Sequence, residues 1–225
     1  MRFTRFSLLA LALATVALPA AAQTAGDWTV AIGAHNVDPK SDNGTLAAGT
    51  LPVSVDSNVR PTIAFEYFVR DGLGIEVLAA LPFQHDIAID GLGTVATTKH
   101  LPPTVSLQYH FNHGGAVSPL LGLGVNYTTF FSEDTRGALA GADLELGDSW
   151  GLAAHAGVDF RLGNGGAIRI DARWIDIDSD VYLNGAKAGT LLLFAQQSRE
   201  VRSILRRIAM DVLYAVNATP KCLIV

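Results

Sequence analysis

From Trp28 to Trp174 the chain alternates apolar and polar residues with a period of two. Between Pro103 and Phe111, Val105, Leu107, Tyr109 and Phe111 share one face while Thr104, Ser106, Gln108 and His110 share the other. That spacing predicts a β-strand with one apolar and one polar side. Leu121, Val125, Tyr127 and Phe131 stand opposite Gly122, Gly124, Asn126 and Thr128 in the same way. Trp150, Leu152, Val158 and Phe160 oppose Gly151, His155, Gly157 and Asp159. Weaker copies run through Trp28–Ile32, Ile63–Val69, Ile75–Ala79 and Ile168–Trp174, which brings the candidate strands to seven.

The connections fall into two kinds. Arg70-Asp71-Gly72, Asn112-His113-Gly114-Gly115 and Gly163-Asn164-Gly165-Gly166 predict tight turns. Asp38 to Arg60, Phe83 to His100 and Ser132 to Asp148 read as long polar or acidic connections. Short turns at one end and long loops at the other favour a transmembrane barrel, whose tilted strands cross a bilayer in roughly nine to eleven residues. Tyr109, Phe111, Tyr127, Phe131, Trp150, Phe160 and Trp174 all lie on the apolar face, as lipid-facing aromatics do. A soluble barrel of the lipocalin kind would turn its apolar face inward and have no cause to gather aromatics at strand ends. Gly, Ala and Ser on the polar face suit the narrow, nearly filled lumen of eight strands.

Composition changes the picture at the two ends. Arg2 and Arg5, the apolar run Ser7–Leu18 and the small residues Ala20, Ala21 and Ala22 predict a secretory signal peptide over residues 1–22, cut ahead of Gln23. Residues 23–190 carry 19 Asp and Glu against 9 Lys and Arg, while residues 191–225 carry 2 against 5. The formal net charge of −5 therefore averages an acidic barrel and a basic tail, and neither is a nucleic-acid-binding balance. In the tail, Val201, Ile204, Leu205, Ile208, Val212, Leu213 and Val216 follow helical spacing with the arginines mainly opposite, predicting an amphipathic helix able to lie on an anionic membrane surface.

No catalytic, cofactor or metal constellation stands out, so the reading is not that of an enzyme. The six histidines form no H-E-x-x-H arrangement. Asp176, Asp178 and Asp180 imitate the start of a calcium loop, but Val181 occupies the place that requires glycine. Gly122-Leu123-Gly124 lacks the third glycine and the helix of a dinucleotide loop.

The words Leu81-Pro82-Phe83-Gln84-His85, His100-Leu101-Pro102-Pro103-Thr104, the run Gly122–Phe131, Asp148-Ser149-Trp150-Gly151, Gly157-Val158-Asp159-Phe160 and Asp176-Ile177-Asp178 resemble the OmpW family, in the family's order. The resemblance implies an all-β fold, a small antiparallel eight-stranded barrel in the outer membrane of Gram-negative bacteria. It also implies a porin-like channel by which small hydrophobic molecules diffuse, without cofactor, through a narrow lumen that opens sideways toward the lipid. The implied partners are outer-membrane lipid, hydrophobic solutes and the outer-membrane assembly machinery. A second reading stays open, a structural or adhesion barrel with a shut lumen and binding loops. Leu78 matches a lumen leucine of the family; the position of a lumen tryptophan is Arg173 here, with Trp174 displaced outward. Beside Arg173 the parity sets Glu76, Arg169, Asp171, His155 and Asp159 as lumen-lining residues, where unpaired charges are costly and paired ones knit strands together.

After Thr190 the family pattern stops. Its eighth strand begins Asp-Pro and ends aromatic-Arg-Phe, whereas this chain continues Leu191-Leu192-Leu193-Phe194-Ala195 and ends Cys222-Leu223-Ile224-Val225. Three readings compete: a frameshift near codon 190, a helical tail, and Leu191–Ala195 as a stunted eighth strand. Seven strands alone would leave two open edges in hydrocarbon, where each unsatisfied backbone group costs several kcal/mol.

Overall fold

The structure is a computed structural model, and it describes residues 23–39, 43–46, 50–162 and 166–194. Its strands are β1 (Trp28–Val37), β2 (Gly44–Leu46), β3 (Leu51–Val55), β4 (Asn58–Arg70), β5 (Leu73–Ala80), β6 (Phe83–Ile89) and β7 (Gly93–Leu101). They continue with β8 (Thr104–His110), β9 (Val117–Thr135), β10 (Leu144–Leu146), β11 (Ser149–Arg161), β12 (Ala167–Ile175), β13 (Ile177–Leu183) and β14 (Ala186–Phe194). Every pairing is antiparallel. Several strands are one stave of the wall broken near its middle, so the segments align as eight staves in two storeys.

The lower storey runs β1-β4-β5-β8-β9-β11-β12. Register sets Trp28 against Tyr67, Glu66 against Glu76, Gln108 against Gly122 and His155 against Arg173, so the polar residues of neighbouring strands share the inner face. The outer face is apolar and exposed, with Ile32, Val77, Val105, Val125, Leu152 and Ile170 among its residues. Glu66, Glu76, His110, Gln108, Asn126 and Asp159 are buried instead. A wall with its large apolar side chains outside and its charges inside is built for lipid. Aromatic pairs mark the borders: Trp28–Tyr67 (4.8 Å) and Tyr109–Phe111 (5.1 Å) near the short turns, Tyr127–Trp150 (4.8 Å) at the other end.

The upper storey runs β9-β7-β6-β3-β2-β14-β13-β10, and β10 lies beside β9. Polarity inverts here. Val53, Ile87, Ile89, Val95, Phe130, Ile177, Val181 and Leu191 form a buried apolar core inside the ring. Exposed Gln84 and half-buried Asp86 and Lys99 take the outer positions on β6 and β7. This storey therefore stands in water beyond the Tyr127–Trp150 girdle.

Several expectations are corrected by this storey. The three long connections are not loops throughout, because they carry β2, β3, β6, β7, β10 and the last residues of β9. Inward positions alternate on β6, but on β7 Val95, Ala96, Thr97 and Thr98 are all buried, and with bulges, short strands and the opposite polarity the pattern is not that of a membrane stave. The boundary at residue 190 also moves, since Leu191–Phe194 complete β14, which pairs with β13 and β2. The signal peptide, the Gly163–Gly165 turn, and the helix or frameshift beyond Phe194 lie outside the described residues. Among the described residues β1 and β12 each pair with one strand.

Gly151 shows how tightly the storeys join. A Cβ there would sit 1.7 Å from the backbone oxygen of Asp176 and 2.7 Å from its carbonyl carbon, and neither is free to move. Gly151→Ala is expected to destabilise the barrel by about 1–3 kcal/mol through overpacking, read as a lower denaturation midpoint in detergent. An unchanged midpoint would contradict the close approach.

Candidate functional site

The parity of β4, β5, β8, β11 and β12 drives charged side chains into a lumen too narrow to hold bulk water between them, so they must pair. Arg169 is the hub. Its Nε and Nη2 donate to the two oxygens of Asp159 at 2.6 and 3.0 Å, a bidentate fork across β11 and β12. Its Nη1 donates to Glu76 Oε2 at 2.9 Å and its Nη2 to Glu66 Oε2 at 3.4 Å, on the opposite side of the barrel. One guanidinium thus ties β12 to β4, β5 and β11.

His110 completes the lower layer, with Nε2 2.9 Å from Glu66 Oε1 and Nδ1 3.3 Å from Asp159 Oδ2. The layer above belongs to Arg173, whose Nη1 lies 2.7 Å from Glu76 Oε1 and whose Nε donates to Asp171 at 2.6 Å. Glu76 therefore links the two arginines. His35 on β1 reaches Asp171 at 3.3 Å and Thr62 at 2.9 Å, bringing the first and seventh staves together through side chains. His155 lies over Gly122, where a Cβ would fall 1.7 Å from its Nε2, so only glycine leaves room for that ring.

The seven residues expected in the lumen fall into two groups. Glu76, Arg169, Asp171, Arg173, His155 and Asp159 join one ionic lattice, with His155 Nδ1 the loosest member at 3.9 Å from Glu76. Leu78 stands apart. With Val37, Ala80, Phe83, Pro102 and Ile175 it lines a cavity of about 60 Å³ whose polar edge is His35, Asn36, Thr62 and Arg173. Trp174 lies on the outer wall beside Leu107, Leu121 and Leu123, in keeping with its displaced position. Sequence reasoning missed the bridging roles of His35, His110 and Gln23. The inward parity of His110 was the available signal; Gln23 precedes the first strand and has no parity to read.

The wall changes beside the cavity. β5 pairs with β8 up to Leu78 and Thr104, and β6 pairs with β7 from Phe83 and His100 onward. Between them, Ala79–Pro82 face Leu101–Pro103 with no ladder pairing. Pro82, Pro102 and Pro103 lack the N–H that a ladder needs. Pro103 remains tied to β9 through its carbonyl, which accepts from Tyr127 N at 3.1 Å.

Above Phe83 the rings of His85 and His100 stack at 5.0 Å, and His100 packs against Phe83 at 5.5 Å and Phe130 at 5.7 Å. His85 Nδ1 contacts the backbone oxygen of Asp56 at 2.6 Å. Burial disfavours the charged imidazole, pushing His85 below its ordinary value and His100 down to about 3. Among the described residues no three His, Cys, Asp or Glu side chains group to hold a metal ion.

An antiparallel barrel with an apolar belt, aromatic borders and a charged lumen defines an integral outer-membrane protein. The model of the OmpW family matches residues 24–192, and the chain belongs to that family. It is 36% identical over 190 residues to outer membrane protein W of Vibrio cholerae, covering 80% of this chain and 88% of that one. It is 31% identical over 165 residues to outer membrane protein AlkL of Ectopseudomonas oleovorans, covering 69% and 70%. The crystal structure of OprG from Pseudomonas aeruginosa superposes with a TM-score of 0.67 at 34% identity, covering 76% of this chain and 89% of that chain. The cell outer membrane is thus the chain's location.

Proposed function

We propose that the barrel is a passive route by which small hydrophobic molecules cross the outer leaflet region, entering from the external storey and leaving sideways into lipid. The observation that carries this reading is the position of the apolar cavity. It sits directly on the ionic lattice and against the unladdered wall at Ala79–Pro82 and Leu101–Pro103. A solute in that cavity meets desolvated ion pairs below it and a gap in the wall beside it. Downward movement would require separating the pairs of Arg169 and Arg173, whereas sideways movement disturbs no ladder hydrogen bond. The apolar core of the upper storey also offers an apolar solute a surface to displace along its way in.

The reading needs no bound cofactor and no reaction, in keeping with a barrel that acts by geometry. The second reading, a shut barrel with binding loops, takes its support from the same lattice, since a cavity this small requires side chains to move before anything passes. Uptake separates them. Liposomes carrying the protein should take up an apolar fluorescent solute faster than protein-free liposomes. Leu78→Trp, which fills the cavity and removes no member of the lattice, should return uptake to the protein-free rate while leaving the barrel folded. Equal uptake with and without protein would leave the binding-loop reading standing in its place.

A further inference from the structure

Gln23 belongs to no strand, yet it is 6% exposed. Its polar groups are spent on four different parts of the barrel. The side-chain Nε2 donates to Asp159 Oδ2 on β11 at 3.0 Å and lies 2.9 Å from His110 Nδ1 on β8. Its Oε1 accepts from Ser118 Oγ on β9 at 3.3 Å, and its backbone oxygen accepts from Gly72 N in the β4–β5 turn at 2.9 Å. With the amide as donor, His110 Nδ1 is assigned as acceptor and Nε2 carries the proton toward Glu66. The arm behind it is fixed as well: Gly26 N donates to Phe68 O at 2.8 Å, Ala25 N to Asp71 Oδ1 at 2.9 Å, and Thr24 N to Asp27 Oδ2 at 3.0 Å.

We propose that Gln23 is the seal of the periplasmic end of the lumen, delivered as the first residue left by cleavage after Ala22, and that barrel formation keeps it as glutamine. Three observations combine. Ala20, Ala21 and Ala22 place the cut directly before it. Glu66, Glu76, Asp159 and Asp171 outnumber Arg169 and Arg173 in the lattice, so the lattice has acceptor capacity left for the amide donor of Gln23. The amide ties together the consecutive strands β8, β9 and β11 at the floor, while the backbone oxygen holds the β4–β5 turn. A free N-terminal glutamine also has a competing reaction. The α-amine nitrogen attacks the side-chain carbonyl carbon, the bond from that carbon to Nε2 breaks, and Nε2 leaves as ammonia with a proton from the amine. The resulting lactam lacks the donor that binds Asp159, so a cyclised chain loses the seal. In the folded barrel the amide is held by Asp159 and His110 on one side and Ser118 on the other, and cyclisation would have to break those contacts.

The full chain, exported and purified from outer membranes, provides the test. Its intact mass should correspond to a start at Gln23 with the amide retained; a start beyond Gln23, or a folded barrel lighter by one ammonia, overturns the proposal. Glutaminyl cyclase should convert the unfolded mature chain and leave the folded barrel unconverted, whereas equal conversion of both overturns it. In planar bilayers Gln23→Ala should raise ion current several-fold over wild type, and Gln23→Met, which fills the space without a donor, should raise it less. Equal currents in all three forms overturn the seal. These readouts follow ions and the N-terminus rather than apolar solute, so their failure is distinct from failure of the sideways route.

Discussion

Arg169→Met is expected to remove the folded barrel from outer-membrane fractions. The guanidinium holds Asp159, Glu76 and Glu66 at once, and the side chains of those three carboxylates are 4%, 1% and 3% exposed. Methionine keeps much of the volume and removes every guanidinium donor, leaving three desolvated carboxylates with His110, Arg173 and the Gln23 amide as their remaining partners. Breaking one buried pair from one side costs roughly 3–5 kcal/mol, and here three are broken together. That is comparable to the whole stability of a small domain. The band that migrates differently before and after heating, the mark of a closed barrel on a gel, should disappear. Arg169→Lys should recover part of it, because an ammonium restores the charge but cannot span Asp159 and Glu76 with a planar fork. Adding Asp159→Asn and Glu76→Gln to Arg169→Met should also restore folding, since the uncompensated charges go with their partner. A folded single variant would mean that the lattice contributes little.

Acid is expected to open the external β6–β7 hairpin before it unfolds the membrane storey. An unfolded histidine takes up a proton as pH falls through its ordinary value of 6.5, while folded His100 resists until about 3. The unfolded hairpin thus binds more protons in that window. Its stability is intact above 6.5 and is lost progressively as pH falls from 6.5 toward 3, by roughly 1.4 kcal/mol per pH unit. His85, shifted the same way by burial, adds to the loss, and its stacking against His100 at 5.0 Å puts any second charge beside the first. Asp56 and Arg60 are the charged neighbours; Asp56 favours the charged form of His85 and Arg60 opposes it. Pepsin should cut near the Asp90–Gly93 tip much faster at about pH 4 than at about pH 6 after allowing for the enzyme's own profile. His100→Phe, which continues the ring stack between Phe83 and Phe130, should shrink the difference and leave only the share that His85 carries. A hairpin equally resistant at both pH values in wild type would rule out histidine protonation as the lever.

The membrane storey was legible because lipid imposes a simple rule on every residue. Val105, Leu107 and Val125 had to face out and Ser106, Gln108 and Asn126 had to face in, so the strands, their parity and the lumen membership of Glu76, Arg169 and Asp159 followed from alternation alone. Arg173 was legible as a departure from the family pattern, and its pairing with Glu76 and Asp171 follows from the cost of leaving it alone. The upper storey was not legible for the converse reason. Ile87, Ile89 and Val95 face inward there, so a reading tuned to apolar-out strands took the same residues for loop. His35 bonded to Asp171, and Gln23 bonded to Asp159, are 136 positions apart in each case, and no local pattern encodes contacts made by closing a ring.

The inversion of polarity at the Tyr127–Trp150 girdle gives one chain two thermodynamic characters. Above it, burial of Val53, Ile87, Val181 and Leu191 makes the ring a water-stabilised body with the large positive heat capacity of unfolding that apolar hydration brings. Below it, the apolar surface stays in lipid whether or not the strands are paired, and cohesion rests on hydrogen bonds and ion pairs with little heat-capacity signature. Cooling, and mild denaturant acting from the aqueous side, therefore weaken the outer ring first, while the belt in the bilayer remains. The external mouth is the part of the molecule whose integrity follows the weather of the medium, and the floor is the part that does not.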